Sequence, residues 1–478
     1  MEFVGTMKMH GYRLMVGDCD VVETVKNFGT PLMIYDQAGI EERARVFRET
    51  FRSNKFATNI IYASKALSIL YLIGLIDELD LHLDVVSGGE LHVAKRANFP
   101  LEKVYFHGNN KSFAELKMAL ELGVGTIVVD HPGELELLVS LLEEFKGRVV
   151  QRVLLRVNPG IKAKTHKYIQ TTTEESKFGM GTGDPVTHEL IQTMIDSPYL
   201  DFAGFHCHIG SQILQEEFFL EEARAILEFT RHIELEHGCR IREVNLGGGF
   251  GVQYNADDVT LDYRSFLKKY VATVEELQEV LGLELETVSI EPGRSLVNPF
   301  GSTIYEVGGV KVLPSGLNYV FVDGGMTDNP RPALYEAKYE ARVLKTHGSS
   351  GSQGSQGSQG SQESSESQRP HESQESHEPH EPQGSHEAQE PQEPKTYRIA
   401  GKCCETGDVL IQEQELTDVQ TGDLLLVHGT GAYTYSMSSN YNHLPRPAVV
   451  FLKDGEAKLA VRRETYEDLI ARDEVYRA

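Results

Sequence analysis

An α/β fold, a (β/α)8 TIM-type barrel carrying a second, all-β domain, is what this sequence predicts. Three observations point there. Apolar strand-like runs alternate eight times with amphipathic helical stretches across about 230 residues. Each of the eight strand exits is polar, glycine-rich or both, as the catalytic rim of a barrel requires. Beyond Arg294 the pattern changes to short strand-like runs separated by tight turns. A doubly wound open sheet is the competing arrangement, but no Gly-x-Gly-x-x-Gly turn follows an early strand.

Taken in order, Pro31–Asp36 reads as a strand and Ile40–Arg52 as a helix. Barrel strands are predicted at 59–63, 81–86, 103–106, 126–129, 152–157, 202–207, 242–246 and 287–290. Between them lie apolar stripes at helical spacing, among them 114–122, 134–145, 216–237 and 263–281. The exits are Lys65, Ser87 to Glu90, His107 to Asn110, Asp130-His131, Arg156 to Pro159, His206 to Ser211, Gly247 to Gly251 and Glu291 to Arg294. The barrel is therefore assigned to residues 31–294, and residues 1–30 with 295–478 to the β domain. Strand-like runs of that domain include 319–323, 397–400, 424–427 and 448–452. Residues 347–394 open with Gly-Ser-Gln repeats and continue in Ser, Gln, His, Glu and Pro. With almost no apolar side chain to offset ordering entropy, this insert is expected to be disordered, within a hairpin of the β domain.

Length and charge narrow the function. A chain of 478 residues exceeds one simple domain. No run of eighteen apolar residues is present, and the N-terminus shows no charged-then-apolar leader, so a cytoplasmic location is expected. The net charge of −25 argues against nucleic acid and anionic membrane as partners. The insert's nine glutamates and one arginine supply −8 of it, leaving −17 elsewhere. Five cysteines are odd in number and spaced like neither a zinc site nor a disulfide framework; no metal is expected, and a reducing compartment fits.

The chemistry begins at Tyr62-Ala63-Ser64-Lys65, an apolar strand ending on one lysine. Taken alone this is more often a surface lysine. Set in a cavity, its amine can be partly desolvated, its pKa lowered, and a Schiff base made with pyridoxal phosphate. The later exits supply the other parts. Gly247 to Gly249 lets backbone N–H groups approach a phosphate, and Glu291 can hold a pyridine nitrogen protonated. That pyridinium is a deep electron sink suited to loss of CO2. His208 stands two residues past His206, placing both on one face, where an imidazole can stack on a cofactor ring; Ser211 can reach the phosphate.

Tyr62 to Lys65, Asp84 to Glu90, His206 to Ser211, the triple glycine, Glu291 to Arg294 and Cys404-Glu405 stand in this order. The chain in this respect resembles the fold-type-III pyridoxal-phosphate decarboxylases, most of all those acting on diaminopimelate. That family also holds ornithine and arginine decarboxylases and is related to alanine racemase. The resemblance implies Lys65 as Schiff-base lysine, Glu291 at the pyridine nitrogen and His208 against the ring. It implies Ser211, Gly248, Gly249, Gly293, Arg294 and Tyr433 around the cofactor, and Arg294, Arg331, Tyr335, Glu405 and Tyr433 around the substrate. Cys404 would donate the proton that replaces CO2, reaching in from the partner of a homodimer. Cys403 stands where the family has a small or apolar residue; Cys404 is favoured because Glu405 follows it.

Charge separates the substrates. Diaminopimelate ends distally in an amino acid, whose carboxylate calls for a guanidinium such as Arg331; an amine-only substrate would call for an acid. The expected reaction is therefore meso-2,6-diaminopimelate to L-lysine and CO2, with ornithine or arginine decarboxylation as the alternative. An inactive regulatory homologue would tend to lose Lys65 or Cys404, and both are present. A racemase needs a cation at the pyridine nitrogen, where Glu291 is acidic.

Overall fold

The structure is a computed structural model describing residues 3–11, 13–145, 149–161, 176–254, 258, 260–345 and 393–476. The alternation of the sequence becomes a closed parallel barrel. Its strands are Ala57–Ala63, His82–Val85, Val104–Phe106, Thr126–Val129, Gln151–Asn158, Leu200–His206, Glu243–Asn245 and Thr287–Ile290. The ring closes where Ser289 faces Asn59 and Ile290 faces Ile60. Ile61, Tyr105, Val128, Leu154 and Ala203, from the first and the third to sixth barrel strands, form a packed cluster separate from the main core. At the N-terminal end of the strands Glu243 accepts from Tyr105 Oη and Arg152 Nη2, each at 2.8 Å, so its buried carboxylate is paired.

Local chemistry sets the helix ends. Phe113–Leu122 begins in a capping box between Ser112 and Glu115 and ends on Gly123, whose φ of 71° is the left-handed conformation a Cβ resists. Asp262 caps Tyr263–Leu281. That helix packs on Gln37–Thr50, with Phe47 and Tyr263 rings 5.2 Å apart.

The β domain is built on one long strand, Gly301–Val312, which pairs antiparallel with Leu32–Asp36, Asn318–Val322 and Leu424–His428. Leu32–Asp36 also pairs in parallel with Ala448–Lys453, and Tyr35 stacks on Phe451 at 5.0 Å. This corrects the barrel's start from residue 31 to Gln37. Asp36 both ends the strand and caps the following helix, so strand and helix read as a first β–α unit although the strand lies in the other sheet. The first strands, Lys8–His10, Arg13–Val16 and Cys19–Asp20, form a small sheet of their own. Leu14, Val16 and Val21 pack on Leu32, Ile304, Leu426 and Val450 of the large one.

The insert falls between Ala341–Leu344 and Lys395–Ala400. Its expected disorder concerns residues that lie, apart from 393 and 394, outside the described ones. The expected hairpin is not found: Ala341–Leu344 pairs with Leu424–His428, whereas Lys395–Ala400 pairs with Asn318–Val322 and Val409–Leu416. All five cysteines are unpaired, and among the described residues no helix is long and apolar enough to cross a membrane.

Candidate active site

The strand Ala57–Ala63 is buried over its last four residues and tips into a single 3-10 turn, Ser64–Ala66. The turn is held from the β domain: Tyr433 N–H donates to Ala66 O at 2.9 Å and Ser436 Oγ to Lys65 O at 3.1 Å. Lys65 Nζ donates to Asp84 Oδ2 at 3.1 Å, with 42 % of the lysine side chain open to the cavity and 1 % of the aspartate. Burial alone would lower the Lys65 ammonium, but Asp84, Tyr433 and Glu291 outweigh it and raise it. The expected lowering of this lysine is therefore reversed against the protein's own groups, because Asp84 supplies a buried countercharge that the sequence did not locate.

Glu291 follows the eighth strand and is held from three sides. His107 Nε2 lies 2.9 Å from Oε1, Asn245 Nδ2 donates to Oε1 at 2.7 Å, and His206 Nε2 meets Oε2 at 3.2 Å. Burial opposes its ionisation, yet the two imidazoles outweigh burial and keep the carboxyl well below its ordinary value. His206 is itself pushed down to about 4 by burial, so it serves Glu291 as a neutral donor. The three groups have the atoms of a metal site, but Asn245 and the imidazole contacts account for the carboxylate as a braced anion.

The strand ends at His206, so alternation does not carry through to His208. His208 Nδ1 accepts from Gly248 N–H at 3.2 Å, and burial holds its imidazole well below the ordinary value, hence neutral. Two of the three glycine N–H groups expected for a phosphate are thus engaged within the protein: Gly248 by His208 and Gly247 by Asn245 Oδ1 at 3.0 Å. The glycines are needed for a second reason. A Cβ on Gly248 would stand 2.0 Å from Glu291 O, and one on Gly249, at φ +98°, 2.0 Å from Gly210 O.

Arg294 Nη2 donates to Ser211 Oγ at 3.0 Å and its guanidinium lies 4.6 Å over the Tyr433 ring. Both Arg294 and Arg331 donate to Tyr254 Oη, and Arg331 Nη1 also donates to Tyr339 Oη at 3.1 Å. Arg331 opens the one-turn helix Arg331–Tyr335. The preceding turn is tied by Asp328, which accepts from Tyr305 Oη at 2.6 Å and Gly325 N–H at 3.1 Å. Tyr254 and Tyr339 were not singled out in the sequence; tyrosines in loops carry no motif.

One cavity of about 1490 Å3 gathers Lys65, His208, Ser211, Gly249, Glu291, Gly293, Arg294, Arg331, Tyr335 and Tyr433 along its wall. Gly248 is not among the residues of this wall; its N–H donates to His208. Cys404 and Glu405 do not line this cavity. Cys404 is exposed, its N–H donating to Asn442 Oδ1 at 2.8 Å. Cys403 is buried, and burial with Asp408 pushes its thiol up to about 11.

Residues 37–298 match the family described as pyridoxal-dependent decarboxylase, pyridoxal binding domain. Diaminopimelate decarboxylase of Bacillus subtilis is 43% identical over 97% of this chain and 95% of the relative. The chain belongs to the diaminopimelate decarboxylase family. The Bacillus methanolicus member is 41% identical over 97% of this chain and 98% of its own. The crystal structure of diaminopimelate decarboxylase from M. jannaschii in co-complex with L-lysine is 31% identical, covers 98% of each chain, and superposes with a TM-score of 0.84. The family match ends four residues past Arg294, just before the long strand Gly301–Val312 of the β domain.

Proposed function

We propose that this enzyme converts meso-2,6-diaminopimelate to L-lysine and CO2 with pyridoxal 5′-phosphate as cofactor, in a homodimer with shared active sites. The observation that carries the reading is the single cavity wall shared by Lys65, Glu291 and Arg331. The lysine held by the M. jannaschii relative is the expected product.

The residues fit the cofactor. Arg294 Nε is buried without a hydrogen-bond partner, beside Ser211 Oγ, and this pair suits a phosphate dianion. Glu291, ionised and braced, suits a pyridine N–H, and the neutral His208 suits the face of the ring. Bound there, pyridoxal phosphate supplies a conjugated sink for the electron pair left when the carboxylate departs as CO2. Lys65 would attach the cofactor through its amine, which Asp84 Oδ2, 3.1 Å away, holds and orients. Glu291 keeps the sink cationic. Arg331 binds the distal carboxylate, while Tyr254 and Tyr339 fix its guanidinium. One proton replaces CO2 on the reacting carbon, and we assign its delivery to Cys404 of the partner subunit, with Glu405 beside it. An exposed Cys404 outside its own chain's cavity supports this assignment; the raised, buried Cys403 is the poorer acid. Unpaired thiols suit the reducing cytoplasm.

The test is borohydride reduction of the cofactor-loaded enzyme followed by peptide mass spectrometry. A stable pyridoxyl adduct on Lys65 is expected. An active enzyme with its adduct on another lysine would overturn the assignment.

A further inference from the structure

Away from the cavity, three histidines and a glutamate converge on the outer helices of the barrel. His188 lies on Pro185–Asp196; His232, Glu236 and His237 lie on the last turns of Glu216–His237. His188 Nδ1 is 2.7 Å from Glu236 Oε2, His232 Nε2 is 3.4 Å from it, and His237 Nε2 is 3.8 Å from it. His237 has 8 % of its side chain exposed, and its Nε2 is buried without a hydrogen-bond partner. Its other nitrogen, Nδ1, pairs with Gln192 Oε1 at 2.8 Å, which fixes the ring with Nε2 aimed at Glu236.

We infer that His188, His232 and Glu236, with the buried Nε2 of His237 facing Glu236 beside them, form a binding site for a first-row divalent transition metal ion, of the Zn2+, Ni2+ or Co2+ class. Ligand atoms around a tetrahedral Zn2+ with bonds of about 2.1 Å stand roughly 3.4 Å apart, and His188 and His232 stand 2.7 and 3.4 Å from Glu236 Oε2. The ligand atoms of His188, His232 and Glu236 all lie within 4.8 Å of one another. Imidazoles with one carboxylate select these ions over Mg2+ and Ca2+, which prefer oxygen. The helix Glu216–His237 ends here at Gly238, so the negative end of its dipole favours a cation. His232 and Glu236 share a face at i, i+4 spacing, while His188 comes from 48 residues before Glu236, which is why no linear zinc-type spacing announces the site. A bound ion would staple the two outer helices without touching the catalytic cavity.

The experiment is calorimetric titration of the full-length, chelator-treated enzyme with ZnCl2, repeated with CoCl2 while recording the visible ligand-field spectrum. One tight equivalent is expected. His188→Ala and His232→Ala should each weaken it by at least about 100-fold, since even outer-shell partners are worth 10–100-fold. Both variants should keep wild-type decarboxylation, which also shows that they fold. Glu236→Gln, which preserves shape, should likewise lose the tight phase. The insert's histidines are a second source of binding, and a phase belonging to them would survive all three substitutions. Absence of a saturable tight phase, or one unchanged in all three variants, would overturn the inference.

Discussion

Arg331→Ala tests how the enzyme chooses its substrate. The arginine is 7 % exposed, and its guanidinium lies 5.1 Å over the Tyr254 ring while donating to Tyr254 and Tyr339. Truncation removes a charge-assisted pair with the distal carboxylate from this enclosed wall, worth about 2–5 kcal/mol. It also leaves Tyr339 Oη without that donor, at a cost of about 1 kcal/mol in stability rather than in binding. At roughly 1.4 kcal/mol per decade, kcat/KM for diaminopimelate should fall about 30- to 4000-fold. Most of the loss should be in KM, because the distal end is remote from the bond that breaks. The assay is steady-state CO2 release from diaminopimelate and from ornithine by wild type and variant, with cofactor absorbance confirming occupancy. Ornithine lacks the distal carboxylate, so its slow turnover should scarcely change. A loss below about threefold for diaminopimelate, or equal losses for both substrates, would refute the role of Arg331.

Two further outcomes follow from the geometry. Lys65→Ala and Cys404→Ala should each be inactive alone, yet equal random mixing with subunit exchange should restore about a quarter of wild-type activity, since half the dimers would carry one intact site; no recovery after verified exchange would place both residues in one chain's site. Glu222 is fully buried on Glu216–His237 beside the Cys207 thiol, and burial raises its carboxyl well above the ordinary 4.5. The folded chain then keeps a proton that the unfolded chain releases, so stability is lost as pH rises from 4.5 toward the folded value. Glu222→Gln should raise Tm over wild type by a margin that is small near about pH 4 and grows toward about pH 7; a pH-independent difference would contradict a protonated Glu222.

Much of this was legible in the chain, and the losses have physical causes. Barrel strands announce themselves because burial on both faces gives short apolar runs between amphipathic helices, and their exits carry the polar residues. Leu32–Asp36 is equally buried, so nothing local distinguishes a strand of the other sheet; only its long-range pairing with Gly301 to Ile304 does. Lys65, His208, Glu291 and Arg294 were readable as strand exits. Their electrostatic partners were not: Asp84, Asn245, Tyr254 and Tyr339 owe their roles to approaches between segments far apart in sequence. The triple glycine was seen, but not the contacts of Gly247 and Gly248 with Asn245 and His208, nor the close approach of strand ends that the glycines allow.

The most direct measurement is the ratio of kcat/KM for meso-2,6-diaminopimelate to that for ornithine, from CO2 release by the pyridoxal-phosphate-loaded enzyme with lysine identified as product. A wall built around Arg331 should favour diaminopimelate by about 10^4, the discrimination a buried polar site achieves against a substrate lacking its partner group. Stoichiometric lysine and CO2 with that preference is the expected result. No CO2 from diaminopimelate, or a ratio at or below about one, would contradict it.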